Sequence, residues 1–220
     1  VDEEGQNVTL TAESTDQSVV EDPVIDGDTL TFTPVANAIG SAEITVTAAD
    51  DGSGVSSDIK TSSRTFTIAV TPIDDAPVFD TVSDIKIDED SGSDSVTFEG
   101  VGPGGGSDES GQEVTFEVTS EDPDIVTIES FDTGELVYTT VADANGTATI
   151  TVVATDTGDG DSPNVNTSSQ TFTIDVAAIN DAPTIDDIPT ETVYEDAGAT
   201  TVTLTGIGAG GGEDETGQEL

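Results

Sequence analysis

The chain of 220 residues contains no cysteine, no histidine and no tryptophan, and only three of its residues are basic. Without cysteine there are no disulfides, no thiolate metal sites and no cysteine nucleophile. Without histidine as well, the nitrogen and sulfur donors that zinc and copper favour are missing, and so is the commonest general base. Aromatic residues make up 4% of the chain and hydrophobic residues 33%, so any core is small and built from Val, Ile, Leu and Phe. No apolar run approaches the roughly 20 residues that a membrane span needs, and no signal-peptide pattern is present.

What the chain has in excess is acid. Asp and Glu number 47 against the three basic residues, for a formal net charge of -44. A compact state of that charge repels itself unless cations neutralise it. Nucleic acid is excluded as a partner, and no direct membrane contact is expected in this segment. High charge with low hydrophobicity is also the composition of disordered chains. Here, however, the apolar residues alternate with Thr and Glu in short runs bounded by Gly, Asp and Pro, which is a strand pattern.

The chain repeats itself. Residues 1–73 align without a gap on 107–179 with 34 identities, and 74–114 on 180–220 with 19, both at a shift of 106. Asp74-Asp75-Ala76-Pro77 recurs as Asn180-Asp181-Ala182-Pro183, each after an alternating run and each followed by an acidic pair, Glu89-Asp90 or Glu195-Asp196. Taking these as linkers divides the chain into the rear of one repeat (1–73), a complete repeat (74–179) and the front of a third (180–220). The expected setting is a window from a longer array.

Within the complete repeat the spacing predicts seven strands. Ile85 and Ile87 mark a leading edge strand, and Val96, Phe98 and Val101 the second. Val114, Phe116 and Val118 mark the third, Ile125, Val126 and Ile128 the fourth, and Leu136 and Tyr138 the fifth. Ala148, Ile150, Val152 and Ala154 line the sixth, and Phe172, Ile174 and Val176 the last. Seven strands in about 100 residues, with frequent turns and no helical period, give an all-β fold: tandem seven-stranded immunoglobulin- or cadherin-like β-sandwiches arranged end to end. Tyr138 and its counterpart Phe32 are expected in the core, and Lys86, replaced by Thr192 one repeat on, is expected to be an ordinary strand lysine.

The linker, the Glu-Asp-x-Gly near the domain start, the loop Asp156-Thr157-Gly158-Asp159-Gly160-Asp161 and the Gly-rich loop ending Asp108-Glu109-Ser110-Gly111-Gln112 together resemble the cadherin-like tandem repeats of large bacterial surface adhesins. Cadherins themselves carry a longer linker and an Asp-Arg-Glu motif, both missing here. The resemblance implies Ca²⁺ held between successive repeats. One junction would collect Glu89, Asp90, Asn180, Asp181, Asp214 and Glu215. The other would collect Asp74, Asp75, Asp108, Glu109, Asp156 and Asp159 or Asp161. Asp50, Asp51, Asp2 and Glu3 would face a further junction. Ca²⁺ takes six to eight oxygen ligands, so separate loops must converge, and no EF-hand spacing is present. The same Asp-Gly loops also fit plain turns, where Asp caps the backbone and Gly supplies positive φ; three acidic clusters per repeat favour the metal.

No nucleophile elbow, phosphate loop or tuned acid pair is recognisable, and no enzymatic activity is expected. The implied role is an extracellular, cell-surface structural repeat: a Ca²⁺-rigidified stalk of an adhesin or fibre. Its partners would be neighbouring repeats of the same chain and, in a fibre, identical chains. Two alternatives stay open at this point, a filament subunit held by strand complementation and a glycan- or cell-binding module.

Overall fold

Thr alternating with Val, Ile and Phe suits a pleated, half-buried surface, and the chain builds such surfaces almost throughout. The computed structural model describes residues 6–52, 59–161 and 163–218; Asp2 and Glu3 lie outside them. Two units are distinguishable: Val1–Ala76 with Pro103–Glu113 and Thr157–Asn166, and Pro77–Gly102 with Val114–Asp156 and Thr167–Leu220.

In the first unit the strands are β1 (Val8–Ser14), β2 (Val24–Asp26), β3 (Thr29–Thr31), β4 (Gly40–Asp50) and β5 (Thr61–Val70). β1, β4 and β5 form an antiparallel sheet in that order, and β2 pairs with β3 as a hairpin. Among the described residues, the buried core is Val19, Val20, Ala42 and Ile44, with Leu30, Val46 and Ile68 packed partly against it. Phe32 does not reach the core expected of it; it is 42% exposed, just past β3, which pairs only with β2 among the described residues.

The second unit holds β6 (Ile85–Asp88), β7 (Ser93–Thr97), β8 (Val114–Ser120), β9 (Val126–Asp132), β10 (Glu135–Thr140), β11 (Gly146–Asp156) and β12 (Thr167–Ala177). Two sheets form, β7-β10-β9 and β6-β12-β11-β8. β6 runs parallel to β12, while every other pair is antiparallel. Seven strands split three and four make an immunoglobulin-like sandwich, and the leading strand is indeed an edge. In β11 the burial alternates strictly, with Ala148, Ile150, Val152 and Ala154 at 0% exposure. Phe79, Phe98, Phe116 and Phe131 gather at one end of the core, with neighbouring ring centroids 5.1–5.9 Å apart.

Two strand bounds differ from the expected ones. β7 ends at Thr97, so Phe98 lies just past it, its N–H bonded to the carbonyl of Gly134 at 2.7 Å, and Val101 falls in the following turn. Ile125 precedes β9 because its N–H closes a turn onto the carbonyl of Asp122. Lys86 pairs with Asp175 at 2.5 Å on the surface, where water screens the contact. Residues 180–218 contain a bridge from Thr184 to Gly208 and a 3-10 turn at Glu213–Gly217, and no strand among the described residues.

Candidate metal centre

The linker of the first unit meets two loops. The backbone N–H of Asp75 donates to Glu109 Oε1 at 2.5 Å, Gln112 Nε2 donates to Asp74 Oδ1 at 2.6 Å, and the N–H of Asp74 donates to Asn164 Oδ1 at 3.1 Å. Asp108 and Asp159 line the same cleft. Glu109 is 1% exposed and Asp74 9%, and Glu109 Oε2 and Asp74 Oδ2 are buried without a hydrogen-bond donor. Asp161 stays at the rim, its N–H bonded to Asp159 Oδ1 at 2.9 Å.

The second unit carries the same arrangement 106 residues on. The N–H of Asp181 donates to Glu215 Oε1 at 3.2 Å, and Gln218 Nε2 reaches both Asn180 Oδ1, at 3.2 Å, and Glu215 Oε2. Four groups of the complete repeat join them. Glu89 Oε1 accepts from the N–H of Ile179 at 2.8 Å, and Asn145 Nδ2 donates to Glu89 Oε2 at 3.3 Å and to Asp214 Oδ1 at 3.1 Å. Asp90 Oδ1 accepts from the N–H of Asp143 at 3.1 Å. Carboxylate oxygens of Asp90, Asp143 and Asp181 lie within 4.8 Å of one another. Glu89 and Glu215 are 1% and 3% exposed, and Asp181 Oδ2 is buried without a donor.

Local backbone explains the convergence. Asp90 and Asp143 sit at φ 58° and 57°, the left-handed region that Asn and Asp tolerate best; each turns its chain where a strand ends. Gly105 keeps room beside the first cluster: a β-carbon there would lie 2.6 Å from Asp75 Oδ2 and 2.7 Å from Glu109 Oε2. Gly211, its counterpart, stands likewise against Asp181 and Asp143.

The electrostatics are one-sided. Burial pushes the Glu109 carboxyl above its ordinary pKa, against the Asp75 N–H, and the charges of Asp74, Asp75 and Asp108 push it further. Burial likewise raises Asp181, followed by the charges of Asp90, Asp143, Glu89 and Glu215. A carboxyl with a raised native pKa binds its proton more tightly folded than unfolded. Its penalty is therefore absent below the unfolded pKa and fully present above the native one. The opposite groups, Asp51, Asp84 and Asp175, are held low by their hydrogen bonds, and their contributions are lost only in more acid solution. In EDTA, the thermal midpoint is expected to rise as the pH falls from neutral through the native pKa values of these two carboxyls. A flat or falling midpoint, followed by calorimetry, would contradict this reading.

Of the residues expected at metal, Asp74, Asp75, Asp108, Glu109 and Asp159 come together in one cluster, and Glu89, Asp90, Asn180, Asp181, Asp214 and Glu215 in the other. Asp156 is buried at the end of β11, in the second unit. Asp50 and Asp51 are engaged by protein donors: Asp50 Oδ1 accepts from the N–H groups of Gly52 and Lys60, and Asp51 binds the backbone and side-chain nitrogens of Asn7. Sequence reasoning missed Asp143 and Asn145, and the amides of Gln112, Gln218 and Asn164. The signal for the first two was the Asp143-Ala144-Asn145-Gly146 turn, whose counterpart Asn37-Ala38-Ile39-Gly40 keeps the left-handed residue.

No protein-family model matches the chain, and no curated protein does. Among solved structures it is similar to protocadherin gamma B7 extracellular cadherin domains 3–6 (18% identity, 86% of this chain and 44% of that one, TM-score 0.38). It is similar also to mouse protocadherin-24 domains 1–3 (16%, 77% and 58%, TM-score 0.38) and to the S-layer protein rSbsC(31-844) (19%, 80% and 21%, TM-score 0.31). The chain spans less than two thirds of each. The immunoglobulin-like fold stands on its own two sheets.

Proposed function

We propose that the chain is a spacer segment of an extracellular adhesin or fibre whose repeat junctions are stiffened by Ca²⁺. One observation carries this reading: each linker gathers buried carboxylates, and the charged groups acting on them are all acidic. A buried carboxylate with no cation beside it is costly, and Glu109 and Glu215, 106 residues apart, are both buried among acidic neighbours. A cation supplied from outside removes that cost. The donors are oxygens, the Glu109 and Asp181 oxygens lacking donors point to a missing positive partner, and glycine leaves space where a side chain would intrude. This set fits a hard cation, and Ca²⁺ tolerates so many carboxylates better than Mg²⁺, which prefers to keep its waters.

In the second cluster Glu89, Asp90 and Asp143 of the complete repeat, Asp181 of the linker and Glu215 beyond it would hold the ion. Bound there, the ion supplies charge neutralisation and a tie between the end of one repeat and the start of the next. Repulsion then no longer favours splaying, and the junction stiffens. Stiffness follows from Ca²⁺ occupancy, so small-angle X-ray scattering should show a longer, less flexible particle in millimolar Ca²⁺ than in EDTA or Mg²⁺. A profile indifferent to Ca²⁺ removes the stalk reading. Gly211→Ala is expected to weaken Ca²⁺ binding by roughly tenfold, an effect of the size seen for groups supporting a metal site, while leaving the melting of the metal-free sandwich in place; titration calorimetry and a thermal melt together test it.

A further inference from the structure

Four of the chain's seven phenylalanines stand together at one end of the complete sandwich, and a cleft opens beside three of them. The segment after β7, the start of β8 and the β9–β10 turn bound it, and it measures about 630 Å³. Small-molecule sites occupy roughly 300–1,000 Å³. Phe98, Phe116 and Phe131 form its apolar lining, their rings tilted 37–61° to one another. Val101, 42% exposed, stands beside them. The charges around the cleft are of one sign. Glu99 and Asp132 are both exposed there, and none of the three basic residues lines it.

The turn at its rim is strained. Glu135 pairs with Asp132, so Thr133 and Gly134 form a two-residue hairpin loop, at φ 50° and 83°. Such a loop calls for Gly, Asn or Asp, and a β-branched residue at positive φ is an outlier. Strain of this kind persists where a site uses it. The equivalent position one repeat earlier is Gly27, φ 60°, which takes the same turn freely. The other lining residues change along with it: Phe116 and Phe131 correspond to Leu10 and Ile25, Phe98 to Leu204 and Glu99 to Thr205. The phenyl rings, the exposed acid and the strained threonine are thus particular to this repeat, and all face one cleft. Filling a core requires the rings but neither of the other two.

We propose that this cleft binds a small organic ammonium, its aromatic or branched apolar body lying on the phenyl rings and its cationic head against Glu99 and Asp132. Phenyl rings hold another ring in offset or edge contact and attract a cation to their faces. The carboxylates add charge-assisted hydrogen bonds, and the net charge of -44 raises the local concentration of any cation. An anion meets repulsion throughout. A compact molecule fits better than an extended peptide, because the register of β9 on β10 shifts between Val137 and Tyr138, and a bulge of that kind opposes strand addition at an edge. The cleft shares no residue with either acidic cluster, and its chemistry does not depend on Ca²⁺.

The test is an NMR titration of the full chain with 2-phenylethylammonium, in about 0.15 M NaCl and millimolar Ca²⁺ to screen general attraction to the acidic surface. Saturable shifts are expected at residues 98–101, 114–116 and 131–134, with a roughly millimolar dissociation constant or tighter. Phenylacetate should produce none, and the neutral 2-phenylethanol should bind about tenfold more weakly. Phe131→Ile, Glu99→Thr and Thr133→Gly each install the residue of the equivalent position, which the fold already accepts, and each should weaken binding by about fivefold or more. Thr133→Gly should at the same time raise the melting midpoint, because the strain goes with the side chain. Glu117→Gln, on the outward side of β8, should change nothing.

Shifts that fail to saturate, or that spread over the acidic surface, overturn the proposal. So does an equal response to the alcohol or to phenylacetate, wild-type affinity in the three variants, or a loss in Glu117→Gln as large as theirs. An extended peptide with amino-terminal phenylalanine that binds more than about tenfold more tightly than the amine would assign the cleft to a protein partner instead.

Discussion

Exchange of Glu215 for Gln is expected to leave stability nearly unchanged in EDTA and to lower it in Ca²⁺. The side chain is 3% exposed, and its Oε1 accepts the N–H of Asp181. Gln keeps that acceptor and nearly the same volume but removes the charge. In EDTA the variant escapes part of the repulsion with Asp181 and the cost of a buried charge, set against loss of the hydrogen bond that Oε2 accepts from the exposed Gln218, so it melts close to the wild type. In Ca²⁺ it has lost a ligand, and affinity should fall at least 10- to 100-fold, since even supporting groups cost that much. At Ca²⁺ near 100 times the wild-type dissociation constant, binding adds about 2.7 kcal/mol, on the order of 10 °C for a domain of this size. The variant therefore melts well below the wild type there. A carboxylate with only a structural role would lower the midpoint equally in both solutions, and calorimetry with and without EDTA separates the two.

Leu136→Ala should be among the most damaging aliphatic truncations in the complete sandwich. Leu136 is 0% exposed near the start of β10, the strand between β7 and β9, where a cavity cannot close without moving two strands. Loss of about 3 kcal/mol is expected, within the range for buried Leu→Ala. The counterpart Leu30→Ala removes the same atoms from a half-covered site, so little cavity forms and the cost should be about 1 kcal/mol. Urea unfolding of the two variants, with separate transitions for the two sandwiches, gives the comparison; equal losses would mean that the first core is as well closed as the second.

The strands were legible because apolar residues recur at every second position from Ala148 to Ala154 and from Phe172 to Val176, and a period of two admits only one element. Phe98 and Val101 were read into the second strand, which ends at Thr97, because apolar spacing continues past it while the backbone turns at Gly100, φ 65°. Phe32 looked like core because its neighbours in sequence read as core; what covers a face is a long-range property, and the covering strands occur earlier in a repeat than the strands they cover. The acidic clusters were readable as clusters, since three loops per repeat carry Asp or Glu at fixed offsets. Asp143 and Asn145 were not, because a lone Asp-Ala-Asn-Gly turn has no signal beyond turn chemistry. Only the convergence of the strand ends brings it against Glu89 and Asp181.

The most direct measurement is the number of Ca²⁺ ions bound per chain, by titration calorimetry at neutral pH with Mg²⁺ present as competitor. The account requires at least one high-affinity class at each cluster, with Glu109→Gln removing the sites of the first and Glu215→Gln those of the second, each leaving the other intact. Heats no larger than those of dilution, or binding indifferent to both substitutions, would mean that the buried carboxylates are not ligands and that the junctions are not held by calcium.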